Sequence, residues 1–224
     1  MPLAGKGMLV SRMDIAPEHD AEFNRWYDRE HLAERVEIPG FVEARRYVAM
    51  QAESKYLALY TTETFDVLDG SAYRKVLANQ TQWSLQNISR LQRPERGICR
   101  ILASKGKGRG SVLGSARLRL ASEDTEHELR EWLDGLLDEL LTIDGVLSVH
   151  LLQSDAELSK PLGAEHPPPG AGDWFVFIDA TATTIVTQAE HRLRGSLKKD
   201  AAQLVAWETY QYLSDVSKQE FLQS

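Results

Sequence analysis

The sequence has few of the features that are typical of proteins outside a reducing compartment, such as several cysteines, a signal peptide or a membrane-spanning helix. Its 224 residues include one cysteine, Cys99, which excludes an internal disulfide framework and any zinc site built from several cysteines. No apolar run is long enough for the central region of a signal peptide or for a membrane-spanning helix. We therefore expect a cytoplasmic protein with no membrane partner.

The sequence also has fewer positively charged residues than negatively charged ones. Lys and Arg number 26 against 33 Asp and Glu, which gives a formal net charge of −7. Nucleic acid and acidic membrane surfaces require a basic protein surface, so we expect neither as a partner. A small-molecule substrate is the expected partner, and assembly into a homo-oligomer stays open.

The order of elements read from hydrophobic periodicity occurs twice. We predict strand, helix, strand, strand, helix and strand over residues 8–15, 17–36, 41–50, 55–63, 66–80 and 96–104. The same order recurs over residues 115–122, 124–143, 144–153, 173–182, 186–204 and 205–216. Segment 104–111 is rich in glycine and charge and predicts a flexible connection. The predicted domains are residues 1–106 and 107–224.

A βαββαβ order is typical of the ferredoxin-like fold, in which helices cover one face of an antiparallel sheet. The other face requires a cover, because a large exposed apolar surface is unfavourable. Two units in one chain can supply it by packing sheet against sheet. We therefore predict an α+β protein made of tandem ferredoxin-like units.

The first predicted helix carries an unusual set of side chains on one face, within about 140° of arc on a helical wheel. The set is Phe23, Trp26, Tyr27, Glu30 and His31. An ordinary amphipathic helix fills this stripe with aliphatic residues, so the set indicates a pocket wall. Leu32 and Val36 fall on the opposite side of the wheel, and we expect the helix to bend or loosen after His31.

The aromatic and imidazole side chains each have a structural and a functional interpretation. Trp26 and Tyr27 either pack in the core or form apolar walls of a site. His31 either ties the helix to a strand or acts as a general acid or base, because imidazole titrates near neutral pH. The functional interpretation requires that His31 line a hollow that solvent can reach.

The charged residues around this helix require partners. A carboxylate on a buried stripe needs a cation, so we expect Glu30 to pair with Arg45 or Arg46 on the next strand. The apolar parity of that strand places Arg46 on the side of the helices. Tyr47 and Tyr60 are strand residues that either pack in the sheet or donate hydrogen bonds into the pocket.

These residues form a pattern, Phe23-x-x-Trp26-Tyr27-x-x-x-His31 followed by Pro39-Gly40-Phe41 and Arg45-Arg46-Tyr47. The pattern resembles the EthD-like branch of the dimeric α+β barrel superfamily, over roughly residues 7–105. The superfamily includes cofactor-free monooxygenases, lactone isomerases, polyketide cyclases and haem-handling proteins. The resemblance implies that the two units form an intramolecular dimeric α+β barrel. Because Leu136 or Leu137 corresponds to His31 in the second half, we expect one site per chain.

The function that follows is a cofactor-independent enzyme of isomerase, lyase or monooxygenase type, acting on a small aromatic, lactone or polyketide-like molecule. His31 and Arg46 are the predicted catalytic residues. The predicted substrate-binding residues are Trp26, Tyr27, Glu30, Tyr47 and Tyr60. We predict no metal and no cofactor. Two other classes stay open: a non-catalytic binding or structural protein, and a haem-binding protein with His191 as iron ligand.

Overall fold

The computed structural model describes residue 3 and residues 5–122, 125–160, 165–168, 170–198 and 200–221. Strand β1 (Gly7–Ile15) leads into α1 (Asp20–Trp26), a π-helical turn (Tyr27–His31) and α2 (Leu32–Glu37). We call residues 20–37 the first helix. The first half continues with β2 (Phe41–Gln51), β3 (Tyr56–Thr62), α3 (Ser71–Ala78), α4 (Gln82–Ile88) and β4 (Leu91–Gly106).

The second half repeats this order with regular helices. Its elements are β5 (Val112–Leu120), α5 (Glu126–Leu141), β6 (Val146–Ser154), α6 (Ala156–Ser159), β7 (Trp174–Ala180), α7 (Thr183–Ser196), β8 (Ala202–Ser217) and α8 (Lys218–Phe221). In both halves a glycine with positive φ turns the chain from helix to strand: Gly40 (φ 86°) and Gly145 (φ 94°). Within the described ranges, no helix is both long and apolar enough to cross a bilayer.

The eight strands close into one barrel. Their order around it is β1-β3-β2-β8-β5-β7-β6-β4, with antiparallel pairing. Each half therefore contributes a four-stranded sheet in the order fourth, first, third, second, which is the ferredoxin-like arrangement. The pairs β2–β8 and β4–β6 join the two sheets. The prediction of tandem ferredoxin-like units in an intramolecular dimeric α+β barrel is confirmed.

Strand alternation separates three cores. On β1, Leu9 belongs to the cluster between the first sheet and its helices, whereas Met8 and Val10 point into the barrel. Buried leucines of α5 cover the outer face of the second sheet. The barrel interior holds aromatic residues from both halves, including Tyr47 and Phe177. A side chain's parity on its strand therefore decides whether it meets the helices or the interior.

Two predicted helices differ from the observed elements. The predicted helix 66–80 is a 3₁₀ turn (Phe65–Asp69) followed by α3, with a break at Gly70. Helix α4 is not predicted from the sequence. Thr81 is the N-cap of α4, and its hydroxyl accepts a hydrogen bond from the amide of Ser84. The predicted helix 186–204 ends at Ser196, and Ala202 already pairs with Leu120 in the sheet.

The connection between the halves is held by hydrogen bonds, contrary to the prediction of a flexible linker. The amide of Gly110 donates to Asp179 at 3.1 Å, and the hydroxyl of Ser111 donates to the carbonyl of Thr181 at 3.0 Å. A Cβ atom at Gly110 would collide with the backbone of Ala180, so glycine is required for this close approach. The division into domains at residues 106 and 107 stays a prediction.

Candidate functional site

The first helix contains one extra residue in the turn that carries the site. The amide of Leu32 donates to the carbonyl of Tyr27, five residues earlier, which defines a π turn. The extra residue rotates the following side chains back by about 100° relative to a regular helix. Leu32 and Val36 therefore face the sheet, and both are buried. The sequence analysis expected the irregularity after His31; it lies one turn earlier.

His31 is enclosed by aromatic rings. Its imidazole lies 4.1 Å from the Trp26 ring, measured between centroids, at an interplanar angle of 33°. Tyr27 and Tyr60 present edges to it at 4.9 and 6.3 Å. Only 7% of His31 is exposed. The expectation that the ring lines a hollow open to solvent is therefore wrong, because packing against the indole covers one face of the imidazole.

The enclosure sets the charge of His31. Burial lowers the pKa of His31 to about 4, and the nearby Glu34 carboxylate opposes this only in part. The imidazole is therefore neutral at pH 7. Its Nδ1 atom has no hydrogen-bond partner, because Glu34 Oε2 lies 3.8 Å away, beyond hydrogen-bonding distance. A neutral imidazole with an unpartnered nitrogen can accept a proton or a hydrogen bond.

Glu30 does not pair with an arginine of β2, so this prediction is wrong. The half-buried carboxylate accepts hydrogen bonds from the hydroxyls of Thr81 and Ser84 at 2.6 and 3.0 Å, and from Trp26 Nε1 at 3.3 Å. These neutral donors satisfy the carboxylate because Glu30 points along the first helix toward α4, the helix that the sequence analysis missed. Trp26 Nε1 also donates to Ser84 Oγ at 3.1 Å, so Glu30 and Ser84 together hold the indole that stacks on the imidazole.

Arg46 lies on the helix side of the sheet, as strand parity predicted. Its Nη1 donates to Asp28 at 2.9 Å and its Nη2 donates to Asn24 Oδ1 at 2.8 Å. The guanidinium also lies over the Tyr27 ring, 4.2 Å from the centroid. Both terminal nitrogens of Arg46 are therefore bound to side chains of the first helix.

The two predicted tyrosines lie on opposite faces of the first sheet. Tyr60 belongs to the cluster beside His31, and its buried hydroxyl has no hydrogen-bond partner. Tyr47 points into the barrel, where its ring meets Tyr212 at 5.8 Å. The prediction that Tyr47 binds substrate beside His31 is therefore wrong, because neighbouring residues on a strand face opposite sides and Arg46 occupies the helix side.

Two charged residues of this site, Glu34 and Arg35, are not among those predicted from the sequence. Arg35 is 4% exposed, and its Nη2 donates to Gln80 Oε1 at 3.3 Å. Its Nη1 has no hydrogen-bond partner and lies 3.9 Å from Glu34 Oε2, which also has none. The spacing from His31, three residues to Glu34 and four to Arg35, was the available signal, because residues at these spacings are neighbours on a helix.

The second half has no counterpart of this site in its first long helix. Leu136 and Leu137 occupy the position of His31, and both are buried in the cluster between α5 and the second sheet. The helix is α-helical throughout Glu126–Leu141. Aliphatic packing takes the place of the imidazole there, in agreement with the expectation of one site of this type per chain.

Solved structures show which fold the chain shares, whereas no family model and no curated protein matches the sequence. A provisionally named monooxygenase from Fusobacterium nucleatum aligns with TM-score 0.65 at 10% identity, over 96% of this chain and 95% of that one. Another from Lactobacillus acidophilus gives 0.60 at 6%, over 95% and 97%. A haem-binding protein from Thermus thermophilus gives 0.58 at 13%, over 100% and 97%. The chain has their fold. At such identities the likeness extends to the fold alone.

The residues around His191 do not suit a haem in this dimeric α+β barrel. His191 lies on the exposed side of α7, beside an open surface depression of about 580 Å³ that Gln188 and Arg192 also line. A haem macrocycle requires an apolar crevice around its axial ligand. Among the described residues, no three His, Cys, Asp or Glu side chains come close enough together to hold a metal ion.

Proposed function

We propose that this protein is an enzyme that binds a small, largely apolar aromatic molecule between the first helix and the first sheet. Four buried polar atoms without hydrogen-bond partners carry the proposal: His31 Nδ1, Glu34 Oε2, Arg35 Nη1 and Tyr60 Oη. Buried polar groups are nearly always paired, and a group of unpaired ones calls for a missing partner. A ligand with both donors and acceptors would satisfy them.

His31 would act as the proton acceptor. Because its pKa is about 4, the imidazole is unprotonated at neutral pH but is a weak base, so it can take a proton only from a strongly acidic C–H or O–H group. Trp26 and Tyr27 would form apolar walls, and Tyr60 would donate a hydrogen bond. Arg46 would hold the π turn through Asp28 rather than contact the substrate.

The proposed reaction classes are isomerisation, elimination and cofactor-independent oxygen insertion into an activated phenol. Two fold neighbours carry monooxygenase names, which agrees with the third class. We also propose that the first half belongs to the EthD-like branch, on the motif around Trp26 and His31. Because His31 does not line a hollow that solvent can reach in this structure, the proposal requires the π turn to open and admit the substrate, and such turns are frequent at functional sites.

The first test is a ligand screen. Phenols, small aromatic ketones and lactones would be screened by intrinsic tryptophan fluorescence, because Trp26 lies in the site. Binding is expected to weaken in His31→Asn and to be unchanged in His191→Asn, which alters an exposed histidine. Hits would then be incubated under air and under nitrogen, with product detection by mass spectrometry. Turnover only under air identifies a monooxygenase, and turnover in both identifies an isomerase or lyase.

The tight packing of His31 favours a second candidate, a non-catalytic binding or structural protein. In that case the imidazole serves to lock the first helix onto the sheet through its stacking on Trp26. His31→Asn should then lower the melting temperature by several degrees. A stable His31→Asn variant that has lost turnover supports the enzyme, and a destabilised variant with no hit in the screen supports the structural role.

A further inference from the structure

The two arginines on the helix side of the first sheet differ in what their guanidinium groups can still bind. Arg46 has both terminal nitrogens occupied by Asp28 and Asn24. Arg35 has Nη2 on Gln80 and leaves Nη1 without a hydrogen bond, although the residue is 4% exposed. Leaving a buried donor of a charged group without a hydrogen bond costs free energy. The free donor at this site therefore belongs to Arg35.

A second free donor lies near His31. Tyr60 is 2% exposed, and its hydroxyl makes no hydrogen bond of normal geometry. Burial raises the pKa of Tyr60 well above its usual value, and the neighbouring Tyr27 contributes to the rise, so the phenol keeps its proton and can donate it in a hydrogen bond. Glu34 Oε2 lies 3.8 Å from His31 Nδ1 and 3.9 Å from Arg35 Nη1, and the Tyr60 ring centroid lies 6.3 Å from that of the imidazole. The guanidinium and the phenol therefore both lie near His31.

We propose that Arg35 and Tyr60 form an oxyanion site. The substrate then carries an acidic proton, either on a carbon next to a carbonyl group or on a phenolic oxygen. This inference rests on the proposed function and specifies its substrate class. The proton moves from the substrate to Nδ1 of His31, and the electron pair of the broken bond is delocalised onto the substrate oxygen. Arg35 Nη1 and the Tyr60 hydroxyl donate to that oxygen.

Glu34 is the anionic group that faces this position. Its Oε2 atom lies 3.9 Å from Arg35 Nη1 and makes no hydrogen bond, so the contact is a loose ion pair. The Glu34 side chain is 20% exposed and can turn toward solvent. Once His31 accepts the proton, the imidazolium lies beside Glu34 and the oxyanion beside Arg35, so each charge has an opposite neighbour.

The probe is 4-nitrophenol, whose phenolate has its own visible absorption band and which titrates near neutral pH. Binding to the wild-type protein is expected to increase the phenolate fraction. Arg35→Gln should weaken phenolate binding about 10- to 100-fold. Tyr60→Phe removes only the unpartnered hydroxyl and should weaken it several-fold with an unchanged melting temperature. Arg29→Gln removes the same charge from the exposed side of the first helix and should leave binding unchanged.

Several results overturn the oxyanion site: no binding of 4-nitrophenol at millimolar concentration, preferential binding of the neutral phenol, or equal effects of Arg29→Gln and Arg35→Gln. His31→Asn separates this inference from the proposed function. If that variant binds the phenolate normally and the wild-type protein shows no turnover of any screened molecule, the oxyanion site stands and the enzyme proposal fails. If turnover depends on His31 but phenolate binding is unchanged in the Arg35 and Tyr60 variants, the enzyme proposal stands and the oxyanion site fails.

Discussion

The buried imidazole of His31 makes the stability of this protein depend on pH in a calculable way. Its pKa falls from 6.5 in the unfolded chain to about 4 in the folded protein because of burial. Between these values the unfolded state binds a proton that the folded state does not, so stability decreases as pH falls. The effect is absent above pH 6.5 and complete below about pH 4. The full loss is about 3 kcal/mol.

Urea unfolding at pH values from about 7.5 to about 4.5 measures this loss. Other groups titrate in the same range, including His150, whose pKa burial also lowers. Groups remote from His31 affect wild type and His31→Asn alike, so the difference between the two reports His31 together with Glu34, whose pKa is lowered by His31. The wild-type free energy of unfolding should fall by about 2–3 kcal/mol more than that of His31→Asn. The control His191→Asn should follow wild type. Parallel curves for wild type and His31→Asn would refute a neutral, buried imidazole.

Three further predictions concern the barrel and its helices. Asp179→Asn removes a fully buried carboxylate 3.6 Å from Arg45, which keeps its ion pair with Glu43 at 2.6 Å, and should cost about 2 kcal/mol in urea unfolding; a cost under about 1 kcal/mol would contradict a role for this pair in joining the halves. Lys218→Met removes two hydrogen bonds of 2.9 Å to the carbonyls that end α2, so hydrogen exchange of the first helix should accelerate while that of α5 does not. Leu137→Ala should lower stability by about 2–5 kcal/mol without altering ligand binding at His31, and altered binding would show that the two halves are coupled.

The fold could be predicted because its signals are local. Pro39-Gly40 and Asp144-Gly145 each end a helix before a strand, and the same order of elements surrounds both. The missed elements depend on smaller signals. Thr81 caps a helix that starts after only a short break from α3. The Ala201-Ala202 pair favours a helix by composition, but Ala202 pairs with Leu120 of β5. Pairing with a neighbouring strand, and not helix propensity, determines the structure of that segment.

The site could be predicted only in part, because one backbone irregularity changes which residues share a face. Strand alternation correctly placed Arg46 toward the helices. A regular helical wheel, however, put Leu32 and Val36 on the solvent side, and the π turn rotates both inward. The same rotation carries Arg35 toward the sheet, whereas the regular wheel places it just beyond His31, at the margin of the stripe. The partners of Glu30 lay on α4, which periodicity had not revealed.

Both seams of the barrel join strands from different halves of the sequence, β2 with β8 and β4 with β6. A polypeptide cut within residues 107–111 would yield two fragments, each with two unpaired strand edges that match those of the other. Such fragments are expected to recombine when expressed together. A split version of this protein would then report the proximity of two fusion partners, with recovery of the His31 site in the first fragment as the readout.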